Sequence, residues 1–302
     1  MNQRAAIITG AGGFVGCAIA AGLLALGWQV VAVDLSFDAA AQARLAGASL
    51  VEGDLASGGL DLPRADLFIH AAALTTDAGT LGISAAAHIR ANMAPLLTVL
   101  AHAAATRPAV FVFLSSTGVF SATDGLPELT DASTPTADHP YAAAKRAGEL
   151  LTPAALAGLC RVLVVRLGYL YGPGEVARST RTNVSLMRRW LDDAAQGRAL
   201  MVPADDPRRD WTFAPDLASA LVRLIDAEPP GHPVHLNSGH ILSDTELARL
   251  ISRADPRAVV RRGPASGAKP PALPSRLSAL SGFCWTAPED GLARLMAERT
   301  AA

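Results

Sequence analysis

The feature that most constrains the fold is a glycine-rich turn, Thr9-Gly10-Ala11-Gly12-Gly13-Phe14-Val15-Gly16, set between two apolar stretches. Ala5–Thr9 predicts a buried strand, and Phe14–Leu26 predicts the helix that follows it. At such a junction, glycines at positions 10, 13 and 16 let the backbone approach a pyrophosphate. The helix start supplies N–H groups and the positive end of a dipole. A tight turn with close helix packing is the plainer reading of the same glycines. The flanking strand and helix, and the acid that follows, favour a dinucleotide.

Alternation continues beyond this turn. Gln29–Val33 predicts a second strand ending at Asp34, and Ser49–Glu52, Leu67–His70, Val110–Ser115 and Val162–Arg166 predict further strands. Ala39–Ala46, Ile83–Thr106 and Tyr141–Leu159 predict helices between them. The expected architecture is α/β, a Rossmann-type doubly wound parallel sheet with a small C-terminal substrate-binding lobe. Past Gly172-Pro173-Gly174 the character changes. Arg178–Thr182 reads as a polar loop leading into Val184–Ala195, Pro203–Asp210 as a polar turn region and Pro215–Ala227 as a helix. Ser243-Asp244-Thr245-Glu246 is a capping-box pattern, and Ala265–Ser275 reads as an exposed loop. The expected division is residues 1–172 as the dinucleotide domain, with later strands returning to it, and 173–302 as mainly the substrate lobe.

Composition limits the partners. The 302 residues are 50% hydrophobic and 18% charged, with a net charge of −1 and no block of like charges. That fits a folded core and argues against nucleic acid or a membrane surface as partner. Cys17, Cys160 and Cys284 are widely spaced, without metal-ligand or disulfide patterning. No signal-peptide pattern is apparent, and the apolar stretch Ala18–Leu26 is too short to span a bilayer. A reducing cytoplasm is the expected location.

The chemistry-bearing residues follow the strands. Asp34 lies 18 residues after Gly16 at a strand end, where an acid accepts ribose hydroxyls and repels a 2′-phosphate. No Arg follows it closely, since Leu35, Ser36 and Phe37 come next. Asp54 and Leu55 follow the third strand, facing an adenine. Ala71, Ala72 and Ala73 follow the fourth and leave room for a cofactor. His70 reads as a packed strand-end histidine. Asn92 lies within an apolar helix, where a polar residue needs a partner, so it is either a cofactor contact or a helix-surface position. Ser116 ends the fifth strand. Tyr141 and Lys145, four apart, share a helix face. A phenol titrates near pH 10, and a neighbouring ammonium lowers that value toward a usable acid/base.

Together these segments resemble the extended short-chain dehydrogenase/reductases, and within them the NAD-dependent epimerase/dehydratase family. The resemblance rests on Thr-Gly-x-x-Gly-x-x-Gly, Asp34, His-x-Ala-Ala, Ser-Ser-x-x-Val-Phe and Tyr-x-x-x-Lys. It continues through Arg166…Tyr171-Gly172-Pro173, Arg209-Asp210-Trp211…Asp216-Leu217-Ala218, Asn237-Ser238-Gly239 and Trp285…Pro288…Gly291-Leu292. It implies NAD as cofactor, with Ser116, Tyr141 and Lys145 as catalytic residues. Cofactor contacts are expected at Gly10, Gly13, Phe14, Val15, Gly16, Asp34, Leu35, Asp54, Leu55, Ala71–Ala73, Asn92, Ser115, Tyr141, Lys145 and Gly168. Substrate contacts are expected at Thr75, Ser116, Thr117, Tyr169, Arg178, Arg181 and Arg209. A homodimer through Ile83–Thr106 and Tyr141–Leu159 is implied as well.

Two departures from the family pattern shape the expected reaction. Dehydratases carry an acidic pair just after the Ser/Thr, where this chain has Thr117 and Gly118. Tyr169 replaces the family's Asn before Tyr-Gly-Pro, and Asp205-Asp206-Pro207-Arg208 replaces a glycine-rich turn, which moves the substrate away from a typical nucleotide sugar. The expected activity is hydride transfer between NAD and a carbinol or keto carbon of a sugar, sugar acid or related polyol. A nucleotide-sugar 4-epimerase with transient NAD reduction is the alternative. A non-catalytic dinucleotide-binding protein is disfavoured because both Tyr141 and Lys145 are kept.

Overall fold

A computed structural model describes residues 3–301 apart from 59, 179 and 229, with side chains up to residue 299. The chain runs through β1 (Ala5–Thr9), α1 (Phe14–Ala25), β2 (Gln29–Asp34), α2 (Ala39–Arg44), β3 (Ser49–Glu52), β4 (Leu67–His70), α3 (Ala85–Thr106) and β5 (Val110–Ser116). It continues with α4 (Pro140–Ala155), β6 (Arg161–Leu167), β7 (Tyr169–Tyr171), α5 (Leu186–Ala195), β8 (Ala199–Pro203), β9 (Arg208–Phe213) and α6 (Leu217–Ile225). Then come β10 (Val234–His235), β11 (Ile241–Ser243), α7 (Asp244–Ala254), β12 (Val259–Gly263) and α8 (Pro288–Ala301).

Seven parallel strands form the main sheet in the order β10-β6-β5-β4-β1-β2-β3. β4 and nearly all of β1 and β5 are buried, and apart from Thr9, His70 and Ser115 their buried side chains are apolar on both faces. α1 and α6 cover one face, where Ile19, Leu23, Leu217 and Leu221 pack on Ile8, Val112 and Val165. α3 covers the other, placing Leu96, Val99 and Leu100 against Ile7, Phe68 and Phe111. α4 lies beside it and very close to β5: a Cβ on Gly148 would stand 2.3 Å from the Phe113 ring. The strand order reverses between β1 and β4, opening a crevice beyond their carboxyl ends.

A second core forms beside this crevice. Tyr171, Trp190, Trp211 and Phe213 pack with residues of α5, α7 and α8. A three-stranded sheet, β11-β9-β7, and a parallel pair, β12-β8, frame it. The predicted capping box is present at the start of α7, where Ser243 Oγ accepts from Glu246 N and Glu246 Oε2 accepts from Ser243 N.

Three local expectations are corrected. α4 stops at Ala155, four residues short of the predicted end. The supposed turn region Pro203–Asp210 is partly strand, because Arg208–Asp210 pair antiparallel with Ile241–Ser243. The loop Ala265–Ser275 is exposed only in its first part. Its proline-rich second part lies along residues 129 and 237: Leu129 N donates to Pro271 O (3.1 Å), Leu273 N to Leu129 O (2.8 Å), and Asn237 Nδ2 to Ala272 O (3.0 Å). Prolines hold that stretch extended with unused carbonyls, and distant donors take them. Among the described residues no helix is long and apolar enough to cross a membrane.

Candidate active site

The crevice at the strand reversal is a cleft of about 530 Å³. Its floor is the glycine turn. Gly10 has a positive φ of 72°, and a Cβ there would meet Ala72 N at 2.5 Å. A Cβ on Gly16 would stand 2.2 Å from Gly10 O, and one on Gly12 would stand 2.6 Å from Ser36 O. The turn therefore folds tightly on itself and against the end of β4 only because side chains are absent. Gly13 starts α1 without a side-chain cap, and no acidic residue occupies the first helical turn. Those N–H groups are open to an anion.

At one end of the cleft lies Asp34. Its carboxylate accepts from Gly12 N (2.8 Å) and Leu35 N (2.7 Å). Burial raises its pKa, opposed by these two N–H groups. Each carboxylate oxygen retains lone pairs for ribose hydroxyls. Asp54 and Leu55 line the same end, with Gly53 and Ala56, which the sequence did not single out. Ala71–Ala73 and Thr75 form the wall that continues from β4.

At the other end stand Ser115, Ser116, Tyr141, Lys145 and Gly168. Pro140 starts α4 and His139 caps it, its Nδ1 accepting from Ala142 N at 3.3 Å. The helix then presents Tyr141 and Lys145 one turn apart. Ser116 hydrogen-bonds the Tyr141 phenol, and its Oγ also accepts from Gly118 N (2.9 Å). Lys145 Nζ donates to Leu114 O (2.7 Å) and lies 5.8 Å from the Tyr141 ring centroid. Here the structure overturns an expectation. Burial raises the Tyr141 pKa where a lowered one was expected, opposed by the Ser116 hydrogen bond and the charge of Arg181. Lys145 is turned toward a carbonyl, and burial brings its own pKa down to about 8. Beneath it Ser115 donates to Glu149 (2.6 Å), which pairs with Arg166 through two bonds of 2.8 and 2.7 Å. His70 is buried against Thr9 (2.8 Å), its pKa pushed down to about 3 by burial.

Four expected contacts do not line the cleft. Asn92 faces the loop after β4: Oδ1 accepts from Leu74 N (3.0 Å) and Nδ2 donates to Leu74 O (3.1 Å) and His88 O (3.2 Å). A buried amide inside an apolar helix requires such partners, and the loop backbone supplies them. Thr117 is buried in a helical turn. Arg209 is engaged by Asp244 (2.8 and 3.1 Å) and by Tyr169 Oη (2.9 Å), so both Arg209 and Tyr169 belong to the second core. Arg178 and Arg181 do line the cleft. Arg178 pairs with Asp38 and acts on Asp34, and Arg181 stacks on Phe14, 5.0 Å from its ring centroid. Ser179, between them, lies outside the described residues.

A charged residue near the site was also missed. Lys269, from the docked half of the Ala265–Ser275 loop, donates to Thr117 O, beside Ser116. Burial and the charge of Arg209 bring its pKa down to about 8. A single Lys in a proline-rich loop carries no local signal of this.

The glycine cradle, the acid at Asp34, the uncapped helix start and the hydroxyl and ammonium groups at the far end fit NAD. A model of the NAD dependent epimerase/dehydratase family matches residues 6–239. Over 150 residues the chain is 35% identical to a dTDP-4-dehydrorhamnose reductase of Mycobacterium tuberculosis, a match covering 48% of this chain and 45% of the relative. The chain thus matches less than half the length of that relative. Among solved structures it resembles an NAD-dependent NDP-hexosamine 5,6-dehydratase of tunicamycin biosynthesis (TM-score 0.82, 22% identity, 99% of each chain). It also resembles a UDP-glucose 4-epimerase from Stenotrophomonas maltophila solved with bound NAD (TM-score 0.81, 22% identity, 99% and 100% of the chains). At these identities the two structural likenesses are ones of fold. The match across residues 6–239 is one of family: the chain belongs to the NAD dependent epimerase/dehydratase family, and its cofactor is NAD.

Proposed function

We propose that the protein is an NAD-dependent oxidoreductase acting at a carbinol or keto carbon of a sugar, sugar acid or related polyol. The observation that carries this reading is the convergence of Ser116, Tyr141 and Lys145 at one end of the cofactor cleft. NAD supplies the hydride donor or acceptor. Ser116 fixes the reacting oxygen. Tyr141 gives that oxygen a proton as a carbonyl is reduced and takes it back in the reverse direction. Burial keeps the phenol protonated, which suits donation, and the 35% identity to a sugar-nucleotide reductase supports the reductive direction. Lys145, held by Leu114 O, keeps a positive charge beside the site. Elimination chemistry is disfavoured: Thr117 is buried, and Gly118 packs so that a Cβ would meet Ser116 Oγ at 3.1 Å and Tyr141 at 3.3 Å. Neither position offers a carboxylate.

A nucleotide-sugar 4-epimerase is the second reading, because UDP-glucose 4-epimerases share this fold. It uses the same residues. Against it, each guanidinium nitrogen of Arg209 already bonds Asp244 or Tyr169. Incubation with NAD or NADH and a panel of sugars, sugar acids and nucleotide sugars separates the two. Net change in NADH absorbance marks the oxidoreductase, whereas interconversion of a nucleotide sugar without it marks the epimerase. Tyr141→Phe should lower kcat about 10²–10⁴-fold in either case while NAD still binds. Full turnover by that variant would end both readings.

A homodimer is part of the same proposal. Leu97 on α3 and Leu150 and Leu151 on α4 are exposed apolar side chains on adjacent helices. Sedimentation should show a dimer that Leu150→Glu dissociates.

A further inference from the structure

We propose that Arg181 is the cation that holds the pyrophosphate of the cofactor, so that a residue from the segment after β7, and not the glycine turn alone, fixes NAD. Among the described residues three cations line the cleft: Lys145, Arg178 and Arg181. Lys145 sits at the catalytic end, on Leu114 O. Arg178 sits at the opposite end, paired with Asp38 beside Asp34. Arg181 lies between them. Its guanidinium carbon is 5.0 Å from the ring centroid of Phe14, the residue that opens α1, and its charge is felt by the Tyr141 phenol. This is the span that a diphosphate bridge must cross between a ribose at Asp34 and a nicotinamide beside Tyr141.

The guanidinium is held in place before any ligand arrives. Nη2 donates to Glu175 Oε1 (2.6 Å), and Glu175, fully buried, also accepts from Ser185 N (2.8 Å) and Ser185 Oγ (2.6 Å). The neighbouring Thr180 carbonyl accepts from Thr75 N (2.9 Å) and Thr76 N (3.1 Å), tying the segment to the opposite wall of the cleft. Arg181 Nη1 is buried and has no hydrogen-bond partner among the described residues. A buried N–H without an acceptor is costly, and one aligned beforehand gains most from an arriving anion. The start of α1 has neither a side-chain cap nor an acidic residue in its first turn, Asp34 bonding the turn before it at Gly12 and Gly13. Helix start and guanidinium fork together suit a diphosphate, with the fork supplying paired donors that a lysine lacks.

The test uses the full chain and ligands that differ in the diphosphate. NAD and ADP-ribose affinities are measured by calorimetry, adenosine by competition, and folding by thermal melting. Arg181→Ala should weaken NAD and ADP-ribose by at least about tenfold while adenosine stays within about twofold. Arg181→Lys, which keeps the charge beside Glu175 but loses the fork, should fall between Ala and the parent. ADP-ribose affinity unchanged in Arg181→Ala would overturn the assignment and return Arg181 to the substrate. Equal losses for adenosine and ADP-ribose would also overturn it, by showing that the pair with Glu175 only shapes the cleft. Neither readout depends on which reaction the enzyme performs.

Discussion

Arg181 and Arg209 were both expected at the substrate, yet the cofactor cleft and the second core use arginine in opposite ways. In the cleft, Glu175 takes one guanidinium nitrogen of Arg181 and Nη1 is left buried without a partner among the described residues. In the second core, Arg209 gives Nε and Nη2 to Asp244 and Nη1 to Tyr169, and its face lies 4.9 Å from the Tyr169 ring centroid. In the first, one guanidinium nitrogen has no partner; in the second, each of the three nitrogens has one. Burial alone does not make a charged residue functional. What separates the two is whether the protein supplies every partner.

The largest expected effect tests the closed arrangement. Arg209→Met leaves Asp244 fully buried without its counter-ion, so unfolding free energy should drop by about 3–5 kcal/mol. NAD affinity, measured by calorimetry, should be unchanged; a loss of NAD binding would erase the distinction between the two regions. Gly16→Ala acts on the open one. Its Cβ must displace Gly10 O, and crowding of about 1–3 kcal/mol should appear as a 10–10²-fold rise in NAD Kd. A normal Kd would mean that the turn relaxes freely. Asp34→Ala should reduce the preference for NAD over NADP by about tenfold in paired titrations, because the like-charge repulsion disappears. Arg178 stands close enough to act on Asp34, so Arg178→Ala should move that ratio the other way.

A further effect is one of pH. His70 is buried and its pKa is pushed down to about 3, against about 6.5 unfolded. Between those values the unfolded chain binds a proton that the folded chain refuses. Stability is therefore full above pH 6.5 and falls as pH drops, by up to about 1.4 kcal/mol per unit. His70→Asn should flatten that part of the curve in denaturant titrations between pH 7 and 5. An unaltered slope would assign the acid sensitivity to another buried group, such as His235, whose pKa is also lowered by burial.

Legibility in the sequence followed the range of the interactions. β1, β3 and β4 stand where the apolar runs put them, since each run is bounded by glycine or acidic residues within a few positions. Tyr141 and Lys145 share a face because helical spacing requires it. Asn92 was readable as a polar residue needing a partner, but not as the staple of Leu74, because the loop that supplies its bonds lies 18 residues earlier. Arg208–Asp210 looked like a turn because the strand that pairs with it, β11, begins only at Ile241. Tyr141 looked like a phenol with a lowered pKa because the spacing to Lys145 is visible, whereas its burial and the carbonyl that captures Lys145 are not.

The sequence by itself determined the parallel α/β sheet, the glycine turn at its reversal point, the acid at the end of β2 and the Ser116, Tyr141 and Lys145 set. All of these rest on residues within one strand, one turn or one helix, where backbone geometry translates spacing directly into position. Only the tertiary structure decided which charges remain available. Arg209 is closed by Asp244, 35 residues away, Arg181 is aligned by Glu175 from across its own loop, and Lys269 reaches Thr117 over 152 residues. A charge is quenched or left open by whatever folds against it, and that depends on contacts no local pattern records.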